Sequence, residues 1–453
     1  MEQPVCILAL DLGTSAFKAA PVSPAGLVAE PISIPYELDQ ADGRVTCRPE
    51  RYFDTAIAAL RRAACSAREA GCRVEAVGIS SQAQTYIALD RTGAPLGDAV
   101  VWTDNRAEQE AERASQAIPD VAAHCGFRRF TGQQFLPKVM LRFAEGGMER
   151  DAIGKLLLLN EYLAYRLTGI AYGDETNQGM SGFFDITRRV WSPTALSLAG
   201  IAVEHLADVA PAAERSGPLT PEIRRALDLD AIPVYLCGND QTCAAAGVDL
   251  DEPGSVLCNF GTAMVIYARK ESMPSEILET QIAGIDPLTS RYFLLGLEGE
   301  CGNVIEWLAH RVYPTEGIEH MLDKATKSVV YPTRHEFPAF PVGPFRLGDW
   351  QESFEKAASA LCPKLVAQTI LEIYRARFVQ LLAEARGLGT RTGKPIAAGG
   401  LCKSQAWLDF LAQRTSEPLV RAPSEHPGLL GIARIVEKNS NKEKPTWSID
   451  SSL

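Results

Sequence analysis

The stretch Val5-Cys-Ile-Leu-Ala-Leu-Asp-Leu-Gly-Thr-Ser-Ala-Phe-Lys-Ala-Ala-Pro-Val22 sets the reading of the whole chain. Its apolar run to Leu10 breaks at Asp11-Leu-Gly-Thr-Ser15 and resumes at Phe17, the pattern of a strand, a glycine turn and a second strand ending at Ser23-Pro-Ala-Gly26. The same pattern returns far downstream. Ser255-Val-Leu-Cys258 leads through Asn259-Phe-Gly-Thr-Ala263 into Met264-Val-Ile-Tyr267. Solenoid repeats recur every 20–50 residues or so, about a fifth of this separation at most. Two copies so far apart suit two homologous lobes, each giving one hairpin to a shared cleft.

A tight turn with glycine at its bend presents successive backbone N–H groups, and a following hydroxyl adds a donor. Gly13-Thr14-Ser15 and Gly261-Thr262 both fit that description, so facing hairpins would grip a polyphosphate from two sides. Asp11, just before the first turn, is placed to hold Mg²⁺ against those phosphates, because Mg²⁺ takes one or two carboxylates plus phosphate oxygens. One copy alone reads better as a plain hairpin with a capping Asp; the pair reverses that in favour of phosphate.

The segments between and after the hairpins alternate helix and strand, which indicates an α/β class. Residues 52–70 have helical character, Val74–Ser80 forms a buried strand, and Asn160–Leu167 a short helix stopped at Gly169. Val366, Ile370, Ile373, Tyr374, Leu381, Leu382 and Ala385 share one face of a long helix closed by Gly387. Lys394–Ala398 is a strand entering Gly399-Gly400, and Ser404–Thr415 a further helix. Glu336–Pro344 is a proline-punctuated loop, and the stretch from Lys438 on is polar. The expected domains are 1–250, 251–435 and a polar tail, 436–453.

Ile232–Gly238 forms a strand ending at Asn239-Asp240, and a small-residue helix follows to about Gly247. Asp240 thus stands on a strand-to-helix corner, where open α/β sheets place ligands. Two roles fit it: helix N-cap, or acceptor of a substrate hydroxyl's proton. Gly78–Thr85 and Val101–Arg106 bring Gln82, Gln84, Thr85, Trp102 and Asp104 to the ends of buried segments. Amides, hydroxyls, a carboxylate and an indole face suit a polyhydroxylated ligand, although a surface turn with a core Trp102 has the same pattern.

Composition narrows the classes. The 453 residues are 46% hydrophobic and 22% charged, which is ordinary for a globular protein. Forty-five Lys+Arg against 56 Asp+Glu give a net charge of −11, which speaks against nucleic acid as a partner. No apolar run approaches the roughly 20 residues of a membrane helix, so no membrane partner is expected. Eleven cysteines without a C-x-x-C pair point to a reducing, cytoplasmic setting, and the six histidines show no metal-ligand spacing. P-loop, G-x-G-x-x-G and G-x-S-x-G motifs are absent.

Taken in order, Asp11–Lys18, Gly78-Ile-Ser-Ser-Gln82, Leu89–Leu96, Trp102-Thr-Asp104, Gly238-Asn-Asp240, Asn259–Ala263 and Ala398–Trp407 resemble the FGGY carbohydrate kinases, with the match running from residue 5 to about 433. The resemblance implies two ribonuclease-H-like lobes of the actin-like ATPase superfamily around a central cleft. It also implies ATP and Mg²⁺ as cosubstrates and phosphorylation of a sugar or polyol hydroxyl, with a ketose such as xylulose favoured. Under it Asp11 orders the metal and Asp240 is the general base. Gly13, Thr14, Ser15, Lys18, Gly261 and Thr262 fall on the phosphate side, and Gly399, Gly400 and Ser404 on the adenosine side. A homodimer is the family habit. Xylulokinases typically carry Met-His, and glycerol kinases Arg-Glu, where this chain has Ala83-Gln84, so neither substrate code is present. Two other readings compete: a non-catalytic sugar- or nucleotide-binding regulator, and a mechanical actin-like ATPase. Retention of Asp11 and Asp240 argues against the first, and the small-ligand residues Trp102, Asp104 and Asp240 against the second.

Overall fold

The structure, a computed structural model, describes residues 3–248, 250–327, 347–359, 361–387, 393–415 and 417–440. The loop expected at Glu336–Pro344 and the polar residues beyond 440 lie outside the described residues. The chain forms two compact units. One holds the residues up to Gly247, Gly284–Tyr292 and the segment from Gly428; the other holds Val248–Ala283 and Phe293–Pro427.

In the first unit, β1 (Val5–Leu12) and β2 (Ala16–Ser23) pair antiparallel, with Asp11 opposite Lys18. Cys6 to Leu10 are all buried, as a central strand requires. Helix α1 (Pro49–Glu69) starts on Pro49 and buries Tyr52, Ala56, Ala59, Leu60, Ala63 and Ala67, a three-to-four spacing that lays one face on β1 and β2. It returns the chain to β3 (Arg73–Ser81), parallel to β1. Next come α2 (Phe135–Ala144) and α3 (Leu159–Thr168), the latter stopped by Gly169 in the left-handed region. Then follows β4 (Pro233–Asn239), parallel to β3, and it runs straight into α4 (Asp240–Ala246). The sheet order is therefore β4-β3-β1-β2, with the short strand Ser216–Pro218 outside β4 and Gly26–Leu27 outside β2. A second sheet in this unit places Arg44–Cys47, Tyr86–Asp90, Ala99–Val100 and Ile153–Leu158 side by side with Asp39–Ala41.

The second unit repeats the plan. β5 (Val256–Phe260) and β6 (Met264–Lys270) form the hairpin. Helices α5 (Gly302–Val312) and α6 (Pro363–Arg386) follow, and β7 (Pro395–Ala398) lies parallel to β5 with Ala398 opposite Asn259. Val366, Ile370, Tyr374, Leu381, Leu382 and Ala385 are buried on α6 as their spacing predicts, whereas Ile373 is only partly so. Helix α7 (Gln405–Ala412) closes this unit's core through Trp407 and Phe410.

The last helix, α8 (Pro427–Ser440), departs from the expected boundaries. It belongs with the first unit, and helix continues where a polar tail was expected from 436. The reason is burial: Ile432, Ile435 and Val436 pack into a first-unit core with Ile7, Ala9 and Cys237. Asn439 is polar but buried, and its Nδ2 donates to the carbonyls of Ala212 at 2.8 Å and Pro287 at 3.1 Å. Asn439→Ala leaves both carbonyls unpaired, so unfolding in urea should show a loss of about 1–3 kcal/mol. A loss under about 0.5 kcal/mol, the size of an ordinary surface substitution, would contradict this role for α8.

Candidate active site

Parallel register brings the carboxyl ends of three neighbouring strands together. Asp11 on β1 lies opposite Ser80 on β3, and Asn239 at the end of β4 lies opposite Ser81. Open α/β sheets bind ligands at this edge. Ser80 Oγ donates to Asp11 Oδ1 at 2.6 Å. Burial raises the Asp11 carboxyl above its usual range, against the opposing pull of the Ser80 bond and the charge of Lys18. Asp240 is pushed up to about 6, first by burial and then by the negative charge of Asp11, with the Gln241 bonds pulling the other way. Those bonds run from Gln241 N to Oδ1 at 2.8 Å and from Gln241 Nε2 to Oδ2 at 3.3 Å.

The helix cap belongs to the residue before. Asn239 Oδ1 accepts from Thr242 N at 3.0 Å, and Thr242 Oγ1 in turn accepts from Asn239 N at 3.1 Å. Capping thus accounts for Asn239 and leaves the Asp240 carboxylate at the sheet edge for another use.

The first turn is tied to the strand ends by a chain of hydrogen bonds. Tyr36 Oη donates to the Gly13 carbonyl at 2.7 Å. Thr14 Oγ1 donates to Gln82 Oε1 and accepts from Trp102 Nε1, both at 2.8 Å. Ser15 and Lys18 are exposed beside it. The Thr14 hydroxyl therefore positions the turn, while Trp102 and Gln82 are fixed by it.

Three other residues expected to face the substrate use their polar atoms inside the protein. Gln84 has a left-handed φ of 70°; its Nε2 donates to the Met180 carbonyl at 2.6 Å and its Oε1 accepts from Phe135 N at 2.9 Å. Thr85 Oγ1 accepts from Trp102 N at 3.0 Å. Asp104, fully buried, accepts from Arg106 Nη2 at 3.0 Å and from Val45 N at 3.3 Å. All three act on the framework that carries Gln82 and Trp102. Lys138 escaped the sequence reading: from α2 its Nζ donates to the carbonyls of Gln84 at 2.7 Å and Val101 at 3.1 Å. The available signal was a lysine among the buried positions of an otherwise apolar helix.

In the second unit, the turn after β5 is held by the start of α5. Gly302 N donates to the Gly261 carbonyl at 3.0 Å and Cys301 N to the Thr262 carbonyl at 2.6 Å. A Cβ on Gly302 would stand 2.5 Å from the Gly261 oxygen, so only glycine lets the helix end approach so closely. Gly399 follows β7 with φ 97°, and a Cβ there would stand 2.4 Å from the Phe260 oxygen. Gly261, Thr262, Gly399 and Gly400 therefore gather at the carboxyl ends of β5 and β7. Ser404 is the N-cap of α7, its Oγ accepting from Trp407 N at 3.1 Å, so its hydroxyl has a structural use.

Among the described residues no three His, Cys, Asp or Glu side chains gather as a metal cage. The oxygens of Asp11, desolvated and beside a second carboxylate, are the donor type a hard divalent cation prefers.

Residues 6–247 match the model of the N-terminal domain of the FGGY family of carbohydrate kinases. The chain belongs to this family. Xylulose kinase from Bacillus subtilis is 22% identical over 437 residues, 95% of this chain and 87% of that one. Glycerol kinase from Rhodospirillum centenum is 29% identical over 322 residues, covering 68% and 63%. The ligand-bound xylulose kinase structure from Lactobacillus acidophilus superposes with a TM-score of 0.80 at 19% identity, covering 97% of this chain and 90% of that one. This FGGY protein is an ATP-dependent carbohydrate kinase with a small-molecule substrate, and it shares the two-lobed actin-like fold of its structural neighbours. None of its described helices is long and apolar enough to cross a membrane.

Gly302 sets the position of the Gly261 turn, so if that turn holds ATP phosphates as the sequence predicts, Gly302→Ala should raise the KM for ATP about tenfold, equivalent to about 1.4 kcal/mol, with the sugar KM little changed. An unchanged ATP KM in a folded variant would show that the turn does not depend on this contact.

Proposed function

We propose that this kinase transfers the γ-phosphoryl group of ATP to a hydroxyl of a small ketose or polyol, xylulose being the favoured acceptor, with Asp240 as general base. The observation that carries the proposal is the convergence of Asp11 and Asp240 on one sheet edge, from β1 and β4 on either side of β3, with Asp240 relieved of helix capping by Asn239 and raised to about 6. The acceptor oxygen attacks the γ-phosphorus, the bond from phosphorus to the β,γ-bridging oxygen breaks, and ADP departs. The acceptor's proton passes to Asp240. Asp11 is assigned to Mg²⁺, which when bound would offset phosphate charge. The amides of Gly13, Thr14 and Ser15, with Lys18, and those of Gly261 and Thr262 are assigned to phosphates, and Gly399-Gly400 to the adenosine. Gln82 and Trp102 are assigned to the acceptor; Gln84, Thr85 and Asp104 position them. The favoured acceptor rests on the xylulose kinases among the relatives, and the first-listed of these is only 22% identical. A cytoplasmic homodimer completes the reading.

Asp240→Asn removes the proton acceptor while keeping shape. Phosphorylation, followed as ADP release over a panel of ketoses, aldoses and polyols, should drop about 10²–10⁴-fold, with sugar affinity within a few fold. Retained turnover would overturn the assignment. The base works only when ionised, so kcat/KM should fall about tenfold per pH unit below about pH 6 and level off above it. An acid limb near pH 4, the ordinary carboxylate range, would contradict the raised pKa.

A further inference from the structure

Behind the segment that carries Gln82–Thr85, the first unit holds a cavity of about 280 Å³ lined in part by Thr46, Asp104, Arg106, Lys138, Arg142 and Glu145. Its charges are unevenly paired. Arg106 is occupied, with Nη2 on Asp104 at 3.0 Å and Nη1 on Glu145 at 2.8 Å. Lys138 and Arg142 are not paired in this way. Lys138 is 2% exposed and bonds two neutral carbonyls, which leaves one of its three protons uncommitted. Arg142 makes one long bond, Nη2 to the Leu96 carbonyl at 3.4 Å. Among the described residues the buried hydroxyl of Tyr86 has no hydrogen-bond partner. The charged groups around that hydroxyl are Arg142, Asp104, Arg106 and Glu145, all of which line the cavity together with Arg44, Asp98 and Lys138, while Tyr86 itself lies behind the lining.

We propose that this cavity is a regulatory site for a small phosphate-bearing anion, held by Lys138, Arg142 and Tyr86. Lys138, attracted by Asp104 but hydrogen-bonded only to neutral carbonyls, Arg142 and the Tyr86 hydroxyl supply the donors a phosphate group takes, and the volume lies just below that of common ligand pockets, which suits a small ligand. Inorganic phosphate and a short phosphate monoester share this chemistry. Lys138 couples the site to the acceptor segment, because the same ammonium fixes the carbonyls of Gln84 and Val101. Burial lowers Lys138 to about 7, so an anion beside it favours the charged form and strengthens both bonds. Occupancy therefore lowers the acceptor KM, a consequence that rests on the kinase reading above, whereas binding itself does not.

Calorimetric titration of the full chain, without nucleotide, with inorganic phosphate and separately with glycerol 3-phosphate tests the site. The parent should bind, Arg142→Gln should weaken binding about tenfold or more, and the near-isosteric Tyr86→Phe by a smaller factor. Tighter glycerol 3-phosphate binding assigns the site to a monoester; equal or tighter inorganic phosphate binding assigns it to free phosphate. In kinetics, phosphate should lower the acceptor KM of the parent but not of Arg142→Gln, whose KM without phosphate should match the parent's. Equal affinity in parent and Arg142→Gln, or no binding of either probe, overturns the proposal. If no acceptor is phosphorylated while the variants still differ in binding, the kinase reading fails and the anion site stands.

Discussion

Two partly buried carboxylates at one sheet edge form the constraint around which this end of the first unit is organised. The parallel pairing of β1, β3 and β4 delivers Asp11 and Asp240 to one sheet edge, where burial raises both carboxyls and the charge of Asp11 further disfavours ionisation of Asp240. Such a pair is unfavourable for stability. It persists because strand register fixes both backbones, Ser80 bonds one carboxylate and Gln241 the other, and Asn239 takes over the helix cap. Sites that combine desolvation with a like-charge neighbour are where acid–base chemistry is expected.

Around this edge, side chains that could have met a ligand instead hold one another. Thr14 links Gln82 to Trp102, Thr85 fixes the backbone of Trp102, and Gln84 bridges α2 and the Met180 carbonyl. A left-handed φ at a residue that is not glycine is a strained conformation, and Gln84 keeps it under bonds at its carbonyl, amide oxygen and amide nitrogen. The result is a preorganised surface, in which binding does not have to fix these rotamers.

Much of this was legible from residues alone. The two glycine turns, the long helix ending at Gly387 and the strand-to-helix corner at 239–240 appear where periodicity and turn chemistry put them, because each is governed by local pattern. Choices settled by tertiary context were not legible. Asn239 and Asp240 are equally good caps, and only the end of β4 selects between them. Lys438-Asn-Ser440 is polar enough to look frayed, yet Asn439 finds two buried carbonyls supplied by distant segments. Gln84, Thr85 and Asp104 have the chemistry of ligand contacts, but their partners Met180, Trp102 and Arg106 are set by packing that no spacing rule encodes.

The most direct test of the central claim follows the two carboxylates themselves. Carbon-13 NMR titration of carboxyl-labelled aspartates, with Asp240 assigned through Asp240→Asn, should place Asp240 near pH 6 in the parent. In Asp11→Asn the same resonance should titrate at a lower pH, because the neighbouring negative charge is gone. An Asp240 that titrates in the ordinary carboxylate range, or that ignores the loss of Asp11, would contradict the account.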